Sequence, residues 1–211
     1  TQNQAFSAIL FLYRHVLKIQ LDWLDDVVRA RQPRRLPTIL SRHEVAAVLS
    51  HLQGTAQLVV LLLYGTGMRI LECLRLRVQD VDFDLGHINI RNPKGGRDRV
   101  TMLPDSTRDR LSEHLINVRA LHNQDLEQGC GSVYLPHALE RKYPHADRDW
   151  KWQYVFPAGS RGTDPRSGIE RRHHLHESVI RKAIYAAARK TGIAKKVSCH
   201  TFRHTFATHL L

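Results

Sequence analysis

The chain has 211 residues, and its 32 Lys and Arg against 20 Asp and Glu give a formal net charge of +12 at pH 7. Hydrophobic residues make up 42% and charged residues 25%, the balance of a folded globular protein and not of a disordered one. The longest apolar run, residues 58–64, is too short to cross a bilayer, and no stretch has the pattern of a secretory signal peptide. The positive excess favours nucleic acid as a partner, although a merely basic soluble protein would carry the same charge.

The cysteines argue against an oxidising compartment. Cys73, Cys130 and Cys199 are few, odd in number and never spaced Cys-x-x-Cys. This excludes a disulfide scaffold and a thiolate zinc ribbon, and it fits a reducing cytoplasm. The chain starts at Thr1 and stops at Leu211 inside a helical pattern, so we expect a fragment truncated at both ends.

The N-terminal part is predicted to be helical and then basic. Apolar residues recur at helical spacing over residues 6–28, with a break expected near Asp22, where the phase of the apolar face changes. Residues 29–37 hold four arginines and two prolines, which is incompatible with a regular helix or strand. They form either an extended basic linker or an ordinary surface loop.

The next elements alternate helices with one hairpin. A capping-box pattern at Ser41 and Glu44 predicts a helix through about Leu52, and the apolar residues 56–64 predict a buried helix. A short helix is expected over residues 68–74. The order then continues with an antiparallel hairpin over residues 88–90 and 99–103 around a turn at 93–96, and with a long helix over residues 106–125.

The remaining third is irregular and then helical. Residues 129–170 are rich in Gly, Pro, His and aromatics, with short helical pieces at best near residues 137–142. Helices are predicted over residues 175–190 and 198–211, the second capped near Ser198. The fold class is therefore mainly α with a small antiparallel β-sheet, an α+β arrangement.

No metal site and no cofactor are predicted. The histidines of residues 173–176 have no Cys or carboxylate at ligand spacing. The aspartates of residues 80–84 are not a calcium loop, because Leu85 and Arg91 stand where Gly and Glu are needed. We expect those aspartates to shape the turn into the hairpin.

Three motifs carry the chemistry: Gly65-Thr-Gly-Met-Arg69-Ile-Leu-Glu72, the hairpin-turn Lys94, and His200-Thr-Phe-Arg203. In this order they resemble the catalytic signature of the tyrosine recombinase family of DNA strand-exchange enzymes. The resemblance covers about residues 36–211. It implies a tyrosine-recombinase catalytic domain at residues 38–211, preceded by a linker at 29–37 and, at 1–28, by the last part of the family's helical DNA-clamp (core-binding) domain.

The residue types suit phosphodiester chemistry. Arg69 and Arg203 carry guanidiniums that bind non-bridging phosphate oxygens bidentately and stabilise a pentacoordinate transition state. His200 lies one helical turn before Arg203, where it can accept the nucleophile's proton or donate a hydrogen bond. Lys94 is placed to protonate the leaving 5′ oxygen, and Glu72 to hold the region of Arg69 without reacting.

The tyrosine nucleophile that the resemblance requires after Arg203 is absent, because all of the chain's tyrosines lie upstream: Tyr13, Tyr64, Tyr134, Tyr143, Tyr154 and Tyr185. We therefore expect the 211-residue chain to bind DNA weakly and not to cleave it. The family's phosphotyrosine chemistry needs neither metal nor ATP.

The segment "ALERKYP … WKWQYVFPA" at residues 138–158 is similar to the additional segment of integron integrases. Those enzymes recombine gene cassettes and accept folded single-stranded DNA hairpins with extrahelical bases. The resemblance assigns four residues to holding an unpaired base: Trp152, Pro165, His173 and His174. Arg141 and Lys142 add phosphate contacts. Two other interpretations remain: Trp150 and Trp152 as i, i+2 core residues of a strand, and the histidines as exposed loop residues.

The resemblance thus implies an integron-type, site-specific recombinase of the bacterial cytoplasm, associated with DNA and not with a membrane. Its partners would be duplex DNA and folded hairpin sites, and four protomers would act together on two sites. Two alternatives are a non-catalytic DNA-binding remnant and a phage-type integrase or type IB topoisomerase acting on duplex DNA alone.

Overall fold

The computed structural model describes residues 2–20, 30, 36–91, 96–135, 139–165 and 167–211. The chain divides into two compact units, Thr1–Leu36 and Pro37–Leu211. Among the described residues the molecule is mostly helical with two small antiparallel sheets, which confirms the predicted fold class. No helix in these ranges is long and apolar enough to span a membrane.

The first unit contains one helix that ends earlier than predicted. Helix α1, Gln2–Phe11, continues as a π-helical turn, Leu12–Leu17, and ends at Lys18 in the left-handed region with φ 54°. The helix therefore ends before the expected break near Asp22, which lies with residues 21–29 and 31–35 outside the described part. No Gly or Pro marks the end at Lys18, so the apolar spacing alone suggested a longer helix. Asn3 joins α1 to Ala30 through two hydrogen bonds, at 2.9 and 3.1 Å.

The second unit is built around a buried helix. Its helices are α2 (Arg42–Ser50), α3 (Gly54–Thr66), α4 (Ile70–Leu74), α5 (Asp105–Glu127), α6 (Leu139–Lys142), α7 (Glu177–Thr191) and α8 (Cys199–His209). Helix α3 is apolar on all sides, as its sequence predicts, and it packs against α5, α7 and α8. The predicted capping box of α2 is present, since Ser41 Oγ accepts from Glu44 N and Glu44 Oε2 accepts from Ser41 N.

A three-stranded antiparallel sheet follows α4. Strands β1 (Val81–Asp82), β2 (His87–Ile90) and β3 (Arg99–Met102) lie in the order β1-β2-β3, so the predicted hairpin gains one short strand. The register pairs His87 with Met102 and Ile90 with Arg99. Asp82 Oδ1 accepts the Leu85 N–H at 2.8 Å in the turn between β1 and β2, as expected of an aspartate that shapes this turn.

A second, smaller core lies in the region after α5. Val133, Leu135, Ala146 and Tyr154 are buried together, with Trp152 packed against them. The segment Trp150–Trp152 is a 3₁₀ turn, so the interpretation of the two tryptophans as neighbours on a strand is wrong. A 3₁₀ turn directs i and i+2 to different sides, and Trp150 accordingly packs on the main core. Strands β4 (Gly162–Thr163) and β5 (Glu170–Arg171) pair in a short hairpin that the sequence pattern did not predict.

Candidate active site and an adjoining aromatic cavity

Two glycines allow other elements to approach the end of α3. Gly67 ends this helix with φ 64°, and a Cβ there would lie 2.5 Å from Phe206 Cδ1 on α8. A Cβ on Gly65 would lie 2.5 Å from Pro104 Cγ, next to the start of α5. The Gly-Thr-Gly sequence therefore does two things: it stops α3, and it allows α8 to pack closely over the residues before Arg69.

Arg69 and Glu72 fix the start of α4. Arg69 precedes the helix in an extended conformation, and its N–H donates to Glu72 Oε2 at 2.9 Å. The guanidinium of the same residue donates from Nη1 to Glu72 Oε1 at 2.8 Å. Glu72 thus caps the backbone and holds the side chain that precedes it, while 37% of the Arg69 side chain remains exposed.

Arg99 and Arg203 approach the same carboxylate from two other elements. Arg99, at the start of β3, donates to both oxygens of Glu72, from Nη2 at 2.5 Å and from Nη1 at 3.3 Å. Arg203 on α8 lies 3.9 Å from Glu72 Oε2 and donates from Nη1 to the Gly67 carbonyl. Glu72 is only 6% exposed, whereas about a third of each guanidinium-bearing side chain is open, 35% for Arg99 and 31% for Arg203.

The electrostatics of this cluster favour an anion. Burial alone raises the pKa of Glu72, but hydrogen bonds from Arg99 and Arg69 outweigh it and hold the pKa at about 2. Burial and the neighbouring Arg69 lower the pKa of Arg203. Three guanidiniums around one carboxylate leave a net charge of +2, so the exposed side of the cluster is suited to a phosphate group.

Of the other residues predicted for catalysis, the structure describes His200 but not Lys94. His200 is exposed in the first turn of α8, one turn before Arg203, and Ser198 caps this helix as predicted. Lys94 belongs to residues 92–95, which lie outside the described ranges. Tyr64 is partly buried on α3, and its hydroxyl forms a 2.8 Å hydrogen bond with His209 Nδ1.

A cavity of about 710 Å³ lies in the second unit among residues 75–91, 134, 152–165 and 171–174. Four of the predicted DNA-binding residues line it: Trp152, Pro165, His173 and His174. Arg141 and Lys142 do not; they are exposed on α6, and Lys142 Nζ lies 5.2 Å from the ring centroid of Tyr143.

Flat groups form one wall of this cavity. The Arg77 guanidinium lies 3.7 Å over the ring centroid of Tyr154, and the rings of His173 and His174 have centroids 4.1 Å apart. Both histidine rings lie 5.4 Å from the Tyr154 ring. Burial, together with the nearby His173 and arginines, lowers the pKa of His174 to about 4, so its ring is neutral at pH 7.

Several arginines of the cavity are ion-paired with separate carboxylates, unlike those that share Glu72. Arg91 Nε donates to Asp80 Oδ1 at 2.6 Å, and Arg172 binds both oxygens of Asp125 at 2.6 and 2.8 Å. Arg77 donates to the carbonyls of Tyr134 and Trp152 at 2.7 Å and to the Tyr154 hydroxyl at 3.0 Å. The cavity therefore combines flat surfaces with ion-paired arginines, while the charge of Arg77 lies against neutral oxygens and the Tyr154 ring.

Sequence reasoning missed Arg99, Arg77 and the Asp80–Arg91 pair. Arg99 sits at the first position of a predicted strand, where a basic residue gives no pattern of its own. Asp80 was assigned to the turn, yet it is 3% exposed and accepts from Arg77 N at 2.9 Å as well as from Arg91. The contacts of Arg99 with Glu72 and of Arg77 with Tyr134 join residues far apart in sequence, and periodicity does not report such pairs.

Comparison with known proteins agrees with this architecture. The phage integrase family matches residues 38–211. An integrase/recombinase of Escherichia coli is 47% identical over 211 residues, which is all of this chain and 63% of the relative. Tyrosine recombinase XerA of Thermococcus kodakarensis is 30% identical over 199 residues, 91% of this chain and 56% of the relative.

A solved structure shares the fold. The XerH site-specific recombinase bound to palindromic difH substrate, in a post-cleavage complex, aligns with a TM-score of 0.55 at 21% identity. The alignment covers 97% of this chain and 54% of that protein. The chain thus spans less than two thirds of the relatives it matches. On the match over residues 38–211, the chain belongs to the phage integrase family of tyrosine recombinases.

Proposed function

We propose that this chain is the phosphate-activating part of a site-specific DNA recombinase. The observation that carries the proposal is the convergence of guanidiniums from separate elements on the buried Glu72, with their outer sides exposed. In this proposal residues 38–211 are the catalytic domain, residues 29–37 a basic linker and residues 1–28 the end of the DNA-clamp domain. The protein acts in the bacterial cytoplasm, on DNA.

The chemistry follows from the residue types. Arg69 and Arg203 bind the non-bridging oxygens of the scissile phosphate and stabilise the charge that grows as the nucleophile attacks. A tyrosine hydroxyl attacks phosphorus, loses its proton to His200 or to solvent, and forms a 3′-phosphotyrosyl bond. The P–O5′ bond breaks, and Lys94 protonates the departing 5′ oxygen. No metal or ATP enters, because the covalent link conserves the energy of the phosphodiester bond.

The tyrosine of that mechanism is not among the residues after Arg203 in this chain. We therefore propose that the 211-residue chain binds DNA without cleaving it. Incubation with a nicked DNA substrate, followed by denaturing electrophoresis, should show no protein–DNA adduct. A covalent adduct formed by this chain would contradict the proposed absence of a nucleophile.

We further propose that the recombinase is of the integron type and holds an extrahelical base in the aromatic cavity. The support is the wall of the cavity, where flat rings lie beside arginines that are already ion-paired with Asp80 and Asp125, an arrangement suited to stacking an uncharged base. A buried Nε of Arg171, which lines the cavity, has no hydrogen-bond acceptor among the described residues and offers a donor to a base edge. Recombination then proceeds with four protomers on two DNA sites.

Binding to two matched DNAs tests the integron type. The wild-type chain should bind a hairpin with bulged bases at least tenfold more tightly than the same duplex without the bulges, in fluorescence anisotropy at fixed salt, since one stacked base contributes about 1–3 kcal/mol. Equal affinity would favour the alternative of a duplex-only integrase. A preference for the bulged hairpin that is insensitive to Trp152→Ala would place the base elsewhere.

A further inference from the structure

We propose that Arg99 is a third phosphate-binding guanidinium of the active site, alongside Arg69 and Arg203. This inference rests on the proposed phosphate site and adds a residue that neither the catalytic signature nor the sequence pattern identified. Its ligand is the charged oxygens of a phosphodiester, or of a free phosphate that mimics one.

The position of Arg99 supports this role. It reaches Glu72 from β3, whereas Arg69 comes from the start of α4 and Arg203 from α8. All three guanidiniums therefore lie around one carboxylate, and the exposed fractions of their side chains are nearly equal at 37%, 35% and 31%. A ligand that contacts the exposed sides of Arg69 and Arg203 is therefore within reach of Arg99.

The charge balance separates this role from that of an ordinary structural ion pair. Arg69 already supplies one counter-charge to Glu72 at 2.8 Å, so neutrality does not require Arg99. Its presence instead adds uncompensated positive charge, and both Arg69 and Arg99 contribute to lowering the pKa of Arg203. Mutual repulsion of this kind is relieved by a bound anion. Net charge +2 matches a phosphodiester that acquires a second negative charge when it is attacked.

The hydrogen-bond inventory leaves capacity for a ligand. A guanidinium carries five N–H donors. Within the described part of the chain, Arg99 uses two of them on the oxygens of Glu72, and the side chain of Arg69 uses one on the same carboxylate. The bidentate bond to Glu72 also fixes the plane of the Arg99 guanidinium, so binding a phosphate requires little further ordering of this side chain.

The proposal is tested directly by titration with inorganic phosphate. The titration is monitored by the arginine Nε–Hε signals in two-dimensional NMR of the labelled chain. Substitution of each arginine by lysine assigns its signal. We expect the signals of Arg69, Arg99 and Arg203 to shift together with one dissociation constant, while that of Arg172, which is paired with Asp125, stays constant. Arg99→Gln should weaken phosphate binding about tenfold, the effect of losing one charge-assisted contact, and Arg99→Lys should weaken it less.

The outcomes of this titration distinguish failure of the Arg99 inference from failure of the proposed phosphate site. If Arg69 and Arg203 shift with phosphate and Arg99 does not, Arg99 is a structural partner of Glu72 and the inference fails, while the proposed function stands. If none of the three shifts, the proposed phosphate site itself fails. Thermal unfolding of each variant shows whether a weaker interaction reflects lost binding or lost folding.

Discussion

The surroundings of Glu72 and the aromatic cavity both contain several arginines, but they differ in how the charge is compensated. Around Glu72 one buried carboxylate faces three guanidiniums whose outer sides are open. In the cavity Arg91 pairs with Asp80, Arg172 pairs with Asp125, and Arg77 donates to carbonyl and hydroxyl oxygens. The first arrangement attracts an anion, and the second builds a rigid wall.

This difference shows that a count of basic residues does not locate a phosphate site. The net charge of +12 suggests nucleic acid as a partner. It does not tell an arginine that is ion-paired with Asp125 from an arginine with excess positive charge that can bind a phosphate. The distinction requires knowledge of how many arginines share each carboxylate, since an arginine whose charge is matched by one carboxylate contributes little field outside that pair. Four substitutions test the contrast.

Glu72→Ala should have the largest effect. It removes the buried counter-charge of three guanidiniums and the cap of α4, so the free energy of unfolding should fall by about 4 kcal/mol in urea denaturation. Glu113 is an exposed residue of α5, and Glu113→Ala should change the same free energy by less than about 0.5 kcal/mol. A small effect at Glu72 would mean that the three arginines do not depend on its charge.

Gly67→Ala should come next, because it places a Cβ against Phe206 in a backbone conformation with φ 64°. Strain and steric overlap together should lower the free energy of unfolding by about 3 kcal/mol. Gly192 is a matched control, since it has φ 69° and no atom within 4 Å of an added Cβ. Gly192→Ala therefore reports strain alone, about 1 kcal/mol. Equal losses at both positions would argue against close packing of α8 on Gly67.

Because His174 in the cavity is neutral at pH 7, we expect the free energy of unfolding to depend on pH. Its pKa is about 4 in the folded chain against an ordinary value of 6.5, so between these values the unfolded state binds the proton and the folded state does not. Stability should therefore decrease as the pH falls through this window, by about 3 kcal/mol. His174→Gln should flatten this part of the curve. The Glu72 contribution follows the same direction in a lower window, from 4.5 down to about 2.

Trp152→Ala should have a specific effect on binding, which is measured on folded protein because the Trp152 ring also packs against the second core. We expect about tenfold weaker binding of the bulged hairpin and unchanged binding of the matched duplex. Tyr143 provides the control, because it is an exposed aromatic of the same region that does not line the cavity. Binding is measured by fluorescence anisotropy. If Tyr143→Ala and Trp152→Ala weaken it equally, the effect belongs to the surface of residues 139–152 and not to the cavity.

The elements around Glu72 could be predicted from the sequence more completely than those of the cavity region. The helices around Glu72 carry local signals: a capping box at Ser41, an all-apolar α3, a glycine stop at Gly67 and a cap at Ser198. These signals act within a few residues, so the elements were predicted to within a turn. The meeting of Arg69 and Arg203 was accessible only through the family resemblance.

The cavity region carries few such signals. Its β4–β5 hairpin has two residues per strand, and its tryptophans lie on a 3₁₀ turn, which has no periodicity over three residues. Its order depends on long-range hydrogen bonds, such as those from Arg77 to Tyr134 and Trp152. Burial and pairing of an arginine cannot be inferred from its neighbours in sequence, so the wall formed by Arg77 could not be predicted.

The central claim is that Arg69 and Arg203 bind one and the same phosphate. The most direct measurement is the salt dependence of duplex binding for the wild type, Arg69→Gln, Arg203→Gln and the double variant. Each phosphate contact contributes a slope of about −0.9 in log K against log salt. If both arginines share one phosphate, each single variant still neutralises it with the remaining arginine, so the magnitude of the slope should fall by much less than about 0.9, whereas the double variant should lose about 0.9. A loss of about 0.9 in each single variant and about 1.8 in the double variant, or no change in any of the three, would contradict the claim.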